Sequence, residues 1–139
     1  MPSVIERATR TLDALGGVDY SATPSTVTVR PSDACGFVVT LAVEHARAFV
    51  VSYDRWQHRF DRAEDAYDCF EFGLSDSCRL RVTYRGEDAV AWHVEKREYG
   101  IWVPSSRSTS RLSLKFWKRR RLVYRQNRVF DQSGRAPAP

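Results

Sequence analysis

The chain has 139 residues, of which 42% are hydrophobic and 28% are charged, which is the size and composition of one globular domain. This balance excludes a disordered, collagen-like or coiled-coil chain, and no stretch approaches the roughly 20 apolar residues that cross a membrane, so we expect no membrane association. The formal net charge is +5, but 10 of the basic residues and only one acidic residue fall within 107–139, against 12 basic and 16 acidic residues before it.

The first predicted element is a helix over residues 4–15. Ser3 and Glu6 form a capping box, in which the hydroxyl accepts a hydrogen bond from a free N–H of the first helical turn. The Gly16-Gly17 pair then ends the helix, because glycine adopts the left-handed terminal conformation without strain. Apolar side chains recur between these two signals at helical spacing, which predicts one buried face: Ile5, Ala8, Leu12 and Leu15.

Three strands are predicted next, over residues 26–29, 37–43 and 47–53. The first is β-branched throughout and ends before Pro31. The second is apolar on both faces, which indicates a central strand. The third alternates Phe49, Val51 and Tyr53 with smaller side chains, and residues 44–46 would form the short connection of a hairpin.

A second helix is predicted over about 61–74. Asp61 and Glu64 resemble another capping box, and apolar residues at positions 63, 66, 67, 70 and 74 fall on one helical face. Phe72 lies opposite that face, among acidic residues. It is therefore either a surface aromatic or the sign that the helix ends near Phe70.

Strands dominate the remaining sequence. Residues 79–85 alternate apolar side chains with polar ones, mostly arginines, and 90–95 and 112–117 also alternate. A short apolar run over 101–103 ends at Pro104 and is followed by a polar loop over 105–110. Residues 118–130 are ambiguous. We favour a strand, while the alternative is a helix with a loose apolar face composed of Leu112, Phe116, Val123 and Phe130.

The element order α-β-β-β-α-β-β-β, with one or two further elements, predicts an α+β two-layer sandwich. Two amphipathic helices would pack on one face of a mainly antiparallel sheet. We expect a single α+β domain over 1–130 and a flexible C-terminal tail over 131–139. The other sheet face needs a cover, either the C-terminal strands or a second copy of the chain, and we favour a homodimer. The element order loosely resembles that of small bacterial secretion-chaperone-type domains, a resemblance of architecture alone.

The sequence contains no motif for catalysis or for a cofactor. Cys35, Cys69 and Cys78 are irregularly spaced, which is typical of reduced thiols in a cytoplasmic protein. The three histidines do not pair at metal-ligand spacing, and neither a phosphate-binding glycine loop nor a nucleophile elbow is present. We therefore expect no cofactor or metal, and we favour a protein that is not an enzyme.

One segment indicates binding, because residues 115–130 interleave seven cations with four aromatic rings. Tryptophan, tyrosine and arginine are frequent anchors of protein interfaces. Cations and aromatic rings also suit phosphates and unpaired bases. Alternatively, the arginines could lie over the acidic face of the second helix. The candidate partner-binding residues are Lys115, Trp117, Lys118, Arg119, Arg120, Arg121, Tyr124 and Arg125.

Three functional hypotheses follow from these observations. The preferred one is a small non-catalytic protein-binding or adaptor domain, chaperone-like in character, which uses the basic-aromatic C-terminal segment. The alternative is a nucleic-acid-binding module that uses the same segment. The third is an enzyme whose pocket combines histidine and cysteine residues from separate parts of the chain.

Overall fold

The computed structural model describes residues 3–105, 109–110, 119–127 and 129. For residues 109–110 it describes the backbone alone. Its helices are α1 (Val4–Leu15) and α2 (Ala63–Leu74). The strands are β1 (Tyr20–Thr23), β2 (Thr26–Val29), β3 (Val39–His45), β4 (Ala48–Tyr53), β5 (Trp56–Phe60), β6 (Cys78–Arg85), β7 (Asp88–Glu98), β8 (Ile101–Pro104), β9 (Thr109–Ser110) and β10 (Arg120–Arg125).

The α+β class with two helices is confirmed, but the single predicted sheet is wrong, because the strands divide into two antiparallel sheets. The first sheet has the order β1-β2-β3-β4-β5, and the second has the order β10-β6-β7-β8, with β9 also beside β7. The strands after α2 pair with one another rather than joining β1–β5. The strands β1 and β5 were not predicted, and the predicted strand 112–117 and tail 131–139 lie outside the described residues.

Helix α1 has the predicted bounds and the predicted N-terminal cap. The Ser3 hydroxyl accepts from the Glu6 N–H at 3.1 Å. At the other end, Gly16 adopts φ +72°, a conformation that a side chain would strain. Ile5, Ala8 and Leu12 are buried, so the predicted apolar face is the one that packs on the core.

Helix α2 begins at Ala63, and the capping box predicted for its start is wrong. Arg62 occupies the N-cap position, and no side chain caps the helix, because Asp61 lies one residue too early. The helix continues through Phe72, which is half-buried, so Phe72 is neither a surface aromatic nor a sign of early termination. In the part of the chain that the structure describes, neither helix has the length and apolarity needed to cross a membrane.

Both helices lie on one face of the first sheet and close the core there. Val39, Leu41, Val51 and Tyr53 are buried on this face. The opposite face of β3 and β4 carries small side chains that are half-buried. The described C-terminal strands form the second sheet instead of covering that face, and the homodimer stays a prediction.

The second sheet packs beside β5 and the end of α2. Aromatic rings along the inner side of β4 and β5 form a ladder from Tyr53 through Trp56 and His58 to Phe60, with successive centroids 4.6–6.2 Å apart. The buried side chains of the second sheet face this region: Leu80, Val82, Trp92 and Val94. The two sheets therefore share one hydrophobic core.

Gln126, Asn127 and Val129 connect the end of β10 to the rest of the protein, and we call these three residues the C-terminal clamp. The Asn127 Oδ1 accepts from the Phe37 N–H at 2.9 Å, and its Nδ2 donates to the Gly73 carbonyl at 3.0 Å. A Cβ on Gly36 would lie 2.7 Å from the same Oδ1, so the clamp needs glycine there. Two backbone bonds reinforce it: Gln126 N–H to Cys35 O at 2.8 Å and Val129 N–H to Leu74 O at 2.7 Å.

Candidate partner-binding surface

Within the ambiguous segment 118–130, Arg120–Arg125 form a strand, so the prediction of β structure is confirmed for these residues and the helical alternative is wrong for them. Strand β10 pairs antiparallel with β6, placing Arg120 opposite Arg85 and Arg125 opposite Leu80. Because side chains alternate along a strand, the predicted cluster divides between two faces. One face carries Arg120, Leu122 and Tyr124, and the other carries Arg121, Val123 and Arg125.

The predicted site residues therefore do not form one patch. Arg119 precedes the strand and is exposed, as are Arg120 and Arg121. Lys115, Trp117 and Lys118 lie outside the described residues. Tyr124 lies on the outer face of the second sheet, which we define by the side chains that point away from the shared core: Arg79, Arg81, Glu95, Arg97, Trp102, Leu122 and Tyr124.

At the centre of the outer face, one arginine bridges two aromatic rings. The Arg79 guanidinium carbon lies 4.1 Å from the ring centroid of Tyr124 and 4.5 Å from that of Trp102. These distances are those of cation–π contacts. Tyr124 remains 46% exposed, so its ring stays accessible, and Trp102 is half-buried.

Glu95 holds this arrangement in place. It stands directly opposite Arg79 in the pairing of β6 with β7, and it is only 6% exposed. Its Oε1 accepts from Arg79 Nε at 2.5 Å, and its Oε2 lies 3.4 Å from Arg81 Nη1. A buried carboxylate between two guanidinium groups fixes both side chains, so Arg79 is pre-positioned beneath the rings.

A cleft of about 670 Å³ opens where this face meets the segment before β3. Arg79, Arg97, Trp102 and Tyr124 form one wall, and the other is made by Ser32, Asp33 and Cys35, with Gln126 and Asn127 of the clamp at its end. Arg97 contributes a second cation near Trp102, at 5.6 Å from the ring centroid, and its guanidinium lies 3.2 Å from Asp76 Oδ2.

The histidine of this face is held neutral. Burial lowers the pKa of His93, and the neighbouring Arg81 lowers it further. Its Nδ1 is buried and has no hydrogen-bond partner among the described residues. His93 therefore adds no cation to the outer face at neutral pH.

The opposite face of β10 points toward the first sheet. The Arg121 guanidinium lies 4.9 Å from the ring centroid of Tyr84. Arg125 Nη1 donates to the Ala34 carbonyl at 2.7 Å. Neither arginine pairs with an acidic residue of α2. The alternative prediction, in which the C-terminal arginines lie over the acidic face of this helix, is therefore wrong for Arg121 and Arg125.

One small cavity does combine a histidine with a cysteine. His58 and Cys69 both line a space of about 160 Å³ between β5, α2 and β7. Burial raises the pKa of Cys69 to about 11, and the Tyr53 hydroxyl lies 3.2 Å from its Sγ. A thiol that keeps its proton is a weak nucleophile, so this geometry does not favour the enzyme hypothesis.

Comparison with known proteins gives no functional assignment. No protein-family model, curated protein or solved structure matches this chain. Within the described ranges, no group of three or more His, Cys, Asp or Glu side chains is arranged to hold a metal ion.

Sequence reasoning missed Arg79, Arg97 and Glu95 as members of the surface. Alternation along 79–85 predicted that the arginines face away from the core, which the structure agrees with. The missing information was the pairing of β10 with β6, because only that pairing brings Tyr124 beside Arg79.

Proposed function

We propose that this chain is a non-catalytic binding module that takes a protein partner on the outer face of its second sheet. The observation that carries the proposal is the Arg79 bridge between Trp102 and Tyr124, fixed from below by Glu95. Rings and guanidinium groups that are ordered before binding lose little conformational entropy on association, which favours affinity.

The composition of the face also supports a protein partner. Arginine, tryptophan and tyrosine are enriched among the residues that dominate protein–protein binding energies. Leu122 adds exposed apolar surface beside Tyr124 on the same strand. Such a mixture of apolar groups, aromatic rings and ion-paired arginines suits a partner segment that carries apolar and aromatic side chains.

The arginines of the outer face form ion pairs with acidic side chains, which favours a protein partner over a nucleic acid. Arg79 and Arg81 are paired with Glu95, and Arg97 is paired with Asp76. An arginine whose charge is already compensated releases few counterions from a phosphate backbone. Tyr124 also has Arg79 on its ring, which reduces the ring area that a base could stack on.

The test begins with selection of peptides that bind the wild-type chain from a displayed random library. The selected peptides are then measured by calorimetry against Tyr124→Ala. We expect a loss of at least about 30-fold, corresponding to the roughly 2 kcal/mol of an interface hot spot. The matched control is Tyr99→Ala, since Tyr99 is fully exposed at the turn between β7 and β8 and lies outside the outer face.

Two results would contradict the proposal. One is a set of peptides that bind Tyr124→Ala as tightly as the wild type, with the fold of the variant verified by circular dichroism. The other is tight binding to generic single- or double-stranded oligonucleotides that weakens steeply with salt, which would assign the surface to nucleic acid.

A further inference from the structure

A second cleft lies on the other side of the second sheet, between that sheet and the first. Its volume is about 640 Å³, within the roughly 300–1,000 Å³ of small-molecule sites. Its floor is apolar and largely aromatic: Phe37, Val82, Tyr84, Ala89 and Trp92. We call it the inter-sheet cleft, and it is separate from the outer face because Val82 and Trp92 point into the core.

Three arginines that form no ion pair with the described residues border this cleft. Arg55 and Arg125 line it, and Arg121 is stacked on Tyr84, which is part of the floor. Burial raises the pKa of Asp54, and Arg125 lies near enough to that carboxyl to oppose part of the rise. Among the residues that the structure describes, none of these three arginines forms an ion pair. They differ in this from Arg79, Arg81 and Arg97 on the outer face.

Both carboxylates that line the cleft accept hydrogen bonds from backbone N–H groups. Asp54 Oδ1 accepts from the Val38 N–H at 3.0 Å, and Asp33 Oδ1 accepts from the Cys35 N–H at 2.8 Å. Each of these acids thus stabilises a local turn. The guanidinium of Arg55 has no such engagement in the described chain, and Arg125 uses one N–H on the Ala34 carbonyl, which leaves donors for a ligand.

We propose that the inter-sheet cleft binds a small amphipathic carboxylate, with its apolar body on the aromatic floor and its carboxylate between Arg55 and Arg125. The floor supplies the hydrophobic contribution, and the arginines select a planar anion through paired N–H donors. This site is independent of the partner surface proposed above, since Tyr124 lies on the opposite face of the sheet.

The experiment uses decanoate below its micelle concentration as the probe and decan-1-ol as the neutral ligand with the same apolar body. Amide chemical shifts are followed by NMR during each titration. We expect decanoate to perturb residues of the cleft, including Tyr84, Ala89 and Trp92, and to bind at least about tenfold more tightly than decan-1-ol, because a hydrogen bond to a charged group is worth about one decade or more.

Four variants locate the site and separate it from the partner surface. Arg55→Gln should weaken decanoate about tenfold and leave decan-1-ol unchanged, whereas Arg59→Gln, an exposed arginine of β5 outside the cleft, should change neither. Ala89→Trp should weaken both ligands by filling the floor. Tyr124→Ala should leave decanoate binding intact, so this proposal and the proposed function can fail separately.

Any of three outcomes would overturn the inference: equal affinity for decanoate and decan-1-ol, shift changes located outside the cleft, or the same loss in Arg59→Gln as in Arg55→Gln. A wild-type chain that shows no shift changes with decanoate at concentrations up to about 1 mM would also overturn it, because that excludes even the weak end of specific binding.

Discussion

Asp54 occupies the turn between β4 and β5 with φ +52°, a backbone conformation that few residues other than glycine, asparagine and aspartate adopt readily. Its carboxylate accepts from the Val38 N–H, and its own N–H donates to the Val38 carbonyl at 2.9 Å. Burial raises the pKa of Asp54, partly opposed by that hydrogen bond and by Arg125. The fold therefore uses the oxygen of this side chain but disfavours its charge.

We expect Asp54→Asn to be at least as stable as the wild type at pH 7. Asparagine keeps the acceptor, tolerates positive φ and has no charge to bury. Because the folded-state pKa of Asp54 lies above its unfolded value, the wild type loses stability as pH rises through these two values, and the variant does not. The difference between the two proteins should thus vanish below the ordinary aspartate pKa of 3.8, which urea denaturation at pH 3 and pH 7 would measure.

The matched variant is Asp54→Ala, which removes the acceptor as well as the charge. It should cost about 0.5–1.5 kcal/mol for the loss of the exposed hydrogen bond to the Val38 N–H, with roughly 1–2 kcal/mol more from the left-handed backbone. If the alanine variant were as stable as the asparagine variant, the hydrogen bond to Val38 would not be what the side chain contributes.

Helix α2 shows how a local signal at the scale of one element can be misplaced. Its apolar face was predicted correctly from periodicity, because the spacing of Ala66, Tyr67, Phe70 and Leu74 requires one helical face. Its start was wrong, since Asp61 and Glu64 have capping-box spacing but the backbone turns helical one residue later. The apolar face is predicted from the spacing of many residues, so one misplaced residue matters little. The start of the helix is predicted from a single capping residue, so an error of one position changes the result.

The N-cap position of α2 has no capping side chain, so a substitution there can stabilise the protein. Arg62 has the extended φ and ψ (−123° and 133°) of an N-cap residue without a side chain that can accept a hydrogen bond. Arg62→Ser should raise the free energy of unfolding by about 0.5–2 kcal/mol, because the hydroxyl can accept from a free N–H of the first turn. Thermal unfolding followed by circular dichroism would measure it.

The control for this substitution is Arg47→Ser, which removes an exposed arginine from the turn between β3 and β4. It should change stability by no more than about 0.5 kcal/mol. An equal gain in both variants would mean that the stabilisation comes from lowering the net positive charge rather than from capping.

At the scale of the whole molecule, sequence patterns predicted the class of structure but not its division into two sheets. Alternation identifies which residues of a strand face the core, and it did so for Leu80 and Val82 of β6. It does not say which strands pair. The division of the strands into two sheets depends on contacts between residues far apart in sequence, such as the hydrogen bonds of Asn127 with Phe37 and Gly73. Such contacts leave no periodic pattern in a single sequence.

The same lack of information explains the incomplete prediction of the candidate surface. The C-terminal segment was recognised by its composition, and its β structure follows from alternation. Its cations were treated as one cluster, however, while the strand distributes Tyr124 and Arg125 to opposite faces. The cation that Tyr124 contacts is Arg79, which lies more than 40 residues earlier in the chain.

The C-terminal clamp should be essential to global stability. Asn127→Ala leaves the Phe37 N–H and the Gly73 carbonyl without partners, and it should cost roughly 2–4 kcal/mol, since each unsatisfied buried group costs about 1–3 kcal/mol. Asn127→Asp keeps the acceptor for Phe37, but it loses the donor to Gly73 and places a carboxylate oxygen against that carbonyl, so it should also destabilise the protein. Urea denaturation of both variants, with Gln57→Ala on the exposed side of β5 as control, would measure the difference.

If Asn127→Ala unfolded with the same midpoint and slope as the wild type, the clamp would not contribute to the cooperative structure. A change confined to the second sheet, seen by hydrogen exchange, would instead mean that the two sheets unfold independently. We expect neither result, because the sheets share one core.

The position of the clamp in the chain sets the order in which the protein can be completed during its synthesis on the ribosome. The first sheet connects neighbours in sequence and can assemble as those strands emerge. Strand β6 must wait for residues 120–125, translated some 40 codons later, before its outer edge is paired. Translation at about 5–20 residues per second makes this an interval of seconds. The contact between Tyr124 and Arg79 therefore forms only after almost all of the described chain has been made.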